Sequence, residues 1–178
     1  MIRKLVPLNR FGKDASGLSA MEFALILPAM VMTFFGIGEL STWLQASSRM
    51  TTVASSIADL VAQDTAIDDT EMNNIMGCAR AILEPFNPAN GWVRVSSIVA
   101  DASGDTTVAW SDALNTSPRA EGSAISVPAG TVTPGMSVIF TEVSYTYTST
   151  YGMFLTSGAT TTDEFYAKPR RSVSVDRL

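Results

Sequence analysis

The hydrophobic pattern of this chain changes character three times. Between Phe23 and Gly38 no charged side chain occurs. With its flanks, residues 20–40, this run reaches the roughly 20 residues a helix needs to cross a bilayer. Beyond Leu40 the apolar positions thin to a stripe. Trp43, Met50 and Ile57 recur every seven residues, Ser47, Ala54 and Val61 repeat beside them, and Leu40, Leu44, Val53 and Leu60 widen the same face. Gln45, Ser48, Arg49, Thr52, Ser56, Asp59 and Gln63 fall largely elsewhere, as in an amphipathic helix. A continuous helix over residues 18–63 would be about 65–70 Å long. The alternative is a membrane helix followed, after a break, by a separate soluble one. Pro28 lies inside the apolar run, where it removes one hydrogen bond and favours a kink that membrane helices tolerate.

A turn is expected over residues 64–71. Asp68 with Glu71 three positions on fits a capping-box-like start to a second helix over residues 69–83. Ile75, Met76, Ala79, Ile82 and Leu83 would face its core, Cys78 would sit among them as a small buried hydrophobe, and Pro85 ends it. After Asn90-Gly91 the period shortens to two. Strands are expected at 92–100 and 106–111 around a hairpin at 101–105, with a short one at 124–127. The clearest strand is 137–148, where Ile139, Thr141, Val143, Tyr145 and Tyr147 share one face. A last strand is expected at 164–168, continuing at 172–175. The Ser-, Thr- and Gly-rich stretch between them, about 149–163, reads as an exposed loop. The simplest assembly is α+β: a small antiparallel sheet packed on the long helix and backed by the second. A chain beginning near Leu60 is expected to fold as an α+β unit, at some risk of aggregation from the face the long helix covers.

Charge adds direction to this picture. Residues 1–17 hold Arg3, Lys4, Arg10 and Lys13 against Asp14, a net +3, and the remainder is net −8 within a total of −5. A basic head before an apolar run points to a cytoplasmic N-terminus and an exported body. The acidic body would repel nucleic acid. There is no histidine and a single cysteine, which excludes histidine-dependent triads, histidine-ligated metals, an intrachain disulfide and a thiolate zinc cage. Asp64, Asp68, Asp69 and Glu71 lack the order of a calcium loop and read as solvated capping acids. No serine lies in a GxSxG motif and no glycine-rich loop links a strand to a helix. The expectation is a protein that is not an enzyme and takes no cofactor or metal.

The apolar run opens on an unusual residue. Glu22 stands at its start, and a carboxylate in lipid is costly and tends to be functional. A secretory signal peptide and a plain single-pass anchor both remain open, although neither accounts for Glu22. The segment GLSAMEF places Gly17, four residues, then Glu22 and Phe23. This resembles the processing site of type IV pilin-like proteins, in which a prepilin peptidase cuts after the glycine and the fifth mature residue is a glutamate. The run SGLSAMEFALILPAMVMTFFGIGEL is similar to the TadE/TadF group, minor pseudopilins of tight-adherence (Tad, or Flp) pili. Ala20, Glu22, Phe23, Ala24, Leu25, Leu27 and Pro28 carry the likeness, followed by Gly38 and Glu39. More loosely, the strand VSYTYT and Lys168-Pro169-Arg170-Arg171 resemble heads of that family.

The resemblance implies a leader over 1–17, a long helix over 18–64 with a transmembrane first half, and an extracytoplasmic head over 65–178. It implies processing between Gly17 and Leu18, and an assembly role for Glu22 and Phe23. The implied partners are the inner membrane, the prepilin peptidase, and other pilin and pseudopilin subunits through the N-terminal helix. The expected function is initiation, capping or assembly of a Tad/Flp-type adhesion pilus, with the head in the periplasm or incorporated in the pilus. The competing expectation is an uncleaved single-pass membrane protein with a partner-binding periplasmic head.

Overall fold

A computed structural model describes residues 17–149, 152, 155 and 158–178. The expected leader, apart from Gly17, lies outside them. The element order is α1 (Leu18–Gln63), β1 (Ala66–Ile67), α2 (Asp69–Leu83), a 3-10 turn (Pro88–Asn90), β2 (Gly91–Ala100), β3 (Thr106–Leu114), β4 (Ser137–Tyr147), β5 (Ala159–Ala167) and β6 (Asp176–Arg177). The long helix is a single element, with Pro28 inside it and no break between its apolar and amphipathic halves. At about 1.5 Å per residue its 46 residues span about 69 Å.

Only the second half of α1 is core. Ala46, Met50, Val53, Ala54, Ile57, Ala58, Val61 and Ala62 are each at most 1% exposed, so the expected stripe is core from Met50 on. Leu40 and Leu44, expected on the same face, are about half exposed because they lie before the stretch that α2 and the sheet cover. On one side α2 packs against it through Met72, Ile75, Met76, Ala79 and Leu83. On the other side lies a four-stranded antiparallel sheet of order β3-β2-β4-β5. The inner face of that sheet contributes Val93, Val95, Ile139, Val143, Tyr145 and Tyr147 to the same cluster. Each fully buried aliphatic side chain of this kind contributes about 1.5–3 kcal/mol. The head is therefore an α+β unit built around the helix rather than beside it.

Polar contacts fix the sheet along the rod. Thr51 Oγ1 donates to Asp163 Oδ2, and the Arg170 guanidinium pairs with Asp59 while the Arg170 N–H donates to the Ala62 carbonyl at 2.9 Å. Arg49 donates to the Ile82 carbonyl at 2.8 Å and lies over the Phe86 ring, which pins the end of α2. Asp68 caps α2 as expected, its carboxylate accepting from the Glu71 N–H at 2.8 Å.

The second, smaller cluster is on the outer face. Ile98, Val138 and Phe140 are buried there under Ile125, Val127 and Val132. Phe140 stacks on Tyr166 at 4.6 Å, and Arg119 grips Glu142 with two hydrogen bonds of 2.7 and 3.0 Å. The segment between β3 and β4 is thus a cover for the sheet. That is why the strand expected at 124–127 does not form: Ala124 makes one isolated bridge to Thr107, and the apolar side chains that follow turn down onto the sheet.

Three further expectations change. The last sheet strand begins at Ala159, five residues before its expected start, so the stretch read as loop supplies half of β5. Residues 172–175 are not strand; instead Asp176–Arg177 pairs in parallel with Ala66–Ile67, and Arg177 reaches Asp69 and Asp112. Cys78 is exposed rather than buried. The buried stripe of α2 runs through 72, 75, 76, 79 and 83, and position 78 falls on its flank.

Candidate functional site

The first half of α1 has no packing partner among the described residues. Leu18 is 58% exposed, Phe23 58%, Leu25 83% and Phe34 74%. Gly17 at the cap position supplies no side-chain hydrogen bond to the helix start. A continuous apolar surface of this extent suits an apolar surrounding. An 18-residue window of this helix has mean hydropathy 1.9 and none of it is buried. The 21 residues from 18 to 38 span about 31 Å, close to the roughly 30 Å hydrocarbon thickness. Among the described residues this is the one helix long and apolar enough to cross a membrane.

Gly17, Leu18, Glu22 and Phe23 all lie on the first turns of that helix. Leu18 and Glu22 are one turn apart, so they share a face. Glu22 is exposed, and a Cβ placed at Gly17 meets no atom within 4 Å. The structure gathers these four because they are adjacent in sequence; among the described residues no tertiary contact adds to them. Exposure continues along the helix and then closes over four residues. Phe35 is half-buried, Gly38 is half-buried, and Glu39 is 1% exposed.

Glu39 is the residue whose setting the sequence hides. About 25 Å along the axis from Glu22, it ends the apolar half, and both of its carboxylate oxygens are engaged. Ser149 Oγ donates to Oε1 and the Leu155 N–H donates to Oε2 at 3.1 Å. One turn further, the indole N–H of Trp43 is buried without a hydrogen-bond partner among the described residues. In the sequence Glu39 reads as a charge marking the end of a membrane run. Its partners stand some 110 residues away, so no local pattern announces them.

At the far end of the rod, a groove of about 500 Å³ is lined by Leu60, Gln63, Asp64, Glu71, Cys78 and Arg170 among others. Partial desolvation there, with Asp64 and Asp68 nearby, raises the Glu71 carboxyl above its ordinary value. Among the described residues no group of three or more histidines, cysteines or acids is placed to hold a metal.

Neither the curated proteins nor the solved structures contain a match to this chain. Residues 17–59, the part of the helix that carries the exposed apolar surface, its two bounding glutamates and most of the core stripe, match the family model described as TadE-like protein.

Proposed function

We propose that this protein is a membrane-anchored minor pseudopilin of a Tad/Flp-type pilus system. One observation carries the reading: the TadE-like segment starts at Gly17, immediately before a helix whose first 21 residues expose apolar side chains at membrane-spanning length. In this reading a prepilin peptidase cuts between Gly17 and Leu18. An unbranched glycine at that point leaves the backbone free to enter a narrow cleft extended. The new α-amino group at Leu18 then lies one turn from Glu22 and offsets part of its desolvation. In an assembly the amino group of a neighbouring subunit takes that role, so a mispacked helix leaves Glu22 unpaired in lipid. The basic leader keeps the N-terminus cytoplasmic, the head stands in the periplasm, and Phe23 packs with Glu22 against other pilin helices. The work is structural: initiating, capping or supporting the pilus.

The test is the N-terminal residue of protein purified from membranes of a host with an active peptidase. Leu18 is the expected first residue. A chain that still carries residues 1–17 refutes processing and leaves a single-pass anchor with a partner-binding head. Replacing Gly17 by a bulky residue such as leucine should reduce the trimmed form to less than about a tenth of wild type by intact mass, while membrane association persists. Glu22→Gln should leave trimming intact and lower co-purification of partner pilins.

A further inference from the structure

The four-stranded sheet ends on β3 at one side and on β5 at the other, and the fold treats these edges differently. Along β3 the chain itself closes the edge. The Val108 N–H donates to the Ser123 carbonyl, the Gly122 N–H to Val108 and the Ile125 N–H to Thr106, at 2.8–3.1 Å. Among the described residues no backbone segment other than β4 pairs with β5. Such a row of edge N–H and C=O groups is a template for another strand. The middle of β5 carries Asp163, opposite Val143 on the helix-facing side of the sheet. Both of its carboxylate oxygens are engaged. Thr51 Oγ1 donates to Oδ2 from α1, and the Glu164 N–H donates to Oδ1 at 2.9 Å. An N–H held by a side chain of its own strand is not given to β4, so Glu164 belongs to the alternate residues that face the edge.

We propose that β5 is a surface on which a second copy of this chain could add its own β5, and that Asp163 is the residue that prevents it. Antiparallel pairing of two such strands over their whole length sets Ala159 against Ala167. Edge-facing residues then meet one another, 160 with 166 and 162 with 164, so the backbone ladder is competent to form. The same register puts Asp163 directly opposite Asp163 of the other copy, in a non-hydrogen-bonded pair, where side chains approach most closely. Like charges so placed are destabilising. Shifting the register parts the two carboxylates only by shortening the overlap. Apart from Asp163 and Glu164 the strand is uncharged, and its threonines, Phe165 and Tyr166 are good strand formers. The bond from Thr51 holds the guarding carboxylate in place, and the bond from Glu164 occupies an N–H that an added strand would need. The inference concerns the head alone and holds or fails whether or not the protein builds a pilus.

Hydrogen exchange of the full chain in detergent micelles, followed over residues 159–167 at rising concentration, reads the edge directly. Association through the apolar helix alone leaves those amides as they were. Wild-type exchange there should not change between about 1 and about 100 μM. In Asp163→Thr it should slow by about tenfold or more at the higher concentration, with a dimer seen by sedimentation. Asp163→Asn keeps the shape, removes the charge and should shift the same way. It carries the test if threonine disturbs the fold, which exchange at residues 53–61 reports. Adding Thr162→Pro, which removes an edge-facing N–H and leaves the β4 ladder intact, should return either variant to wild-type exchange. Concentration-independent exchange in a folded Asp163→Thr chain, or in Asp163→Asn where threonine costs the fold, overturns the proposal. So does slowing that survives Thr162→Pro, because the contact between copies would then lie elsewhere.

Discussion

At the scale of single residues, the groove at the far end of the rod gives a pH signature with a definite sign. Glu71 titrates above its ordinary value because of partial desolvation first, then the carboxylates of Asp64 and Asp68. The folded state therefore binds this proton more readily than the unfolded chain does. Below the unfolded value both states are protonated and Glu71 contributes nothing. As the pH rises through the carboxylate range the folded state loses ground, and the loss is complete once the raised value is passed. Glu71→Gln should match wild type near about pH 3 and exceed it in urea midpoint near about pH 7. Equal midpoints at both pH values would contradict the assigned cause. The backbone N–H of residue 71 keeps its bond to Asp68 in either case.

At the scale of elements, what was legible in the sequence followed periodicity. The seven-residue spacing of Trp43, Met50 and Ile57 located the buried face of α1, and the capping pair Asp68 and Glu71 located the start of α2. The strand at 137–148 was readable because its two faces differ. The first half of β5 was not, because Ala159, Thr160, Thr161 and Thr162 show no alternation on a polar edge strand. The pairing of β1 with β6 joins two-residue segments far apart in sequence, and no local signal marks either. The same distance hid Glu39 from any reading of its neighbourhood. Cys78 was misplaced by one step around its helix.

The elements also correct where the head can be cut. A chain beginning near Leu60 discards Met50, Val53, Ala54 and Ile57, all at most 1% exposed, and so removes the layer between α2 and the sheet. That chain should be unfolded or aggregated. A chain beginning at Gly38 keeps the stripe, Glu39 and Trp43, and should be monomeric with mixed helix and strand by circular dichroism. A well-folded, cooperative Leu60 chain would refute the helix-centred core. The cost is large because the truncation removes several core side chains, each worth about 2–4 kcal/mol on its own.

At the scale of the whole molecule, anchor and core are one helix. The exposed apolar half and the buried amphipathic half share a backbone without a break, so there is no joint at which the head could choose its own azimuth. The rod acts as a mechanical shaft. One residue inserted between Phe23 and Gly38 should turn everything beyond it by about 100° and advance it by about 1.5 Å, leaving hydropathy nearly unchanged. Four inserted residues, close to a whole turn, should nearly restore the angle while adding about 6 Å. A function that depends on which way the head faces will be lost with one residue and largely kept with four; one that depends on reach alone will show the reverse order. Cross-linking between cysteines placed on the head and on a fixed membrane neighbour would read the phase directly. Tilt travels the same way: about 10° at the membrane becomes a displacement of about 12 Å at the far end of a 69 Å shaft.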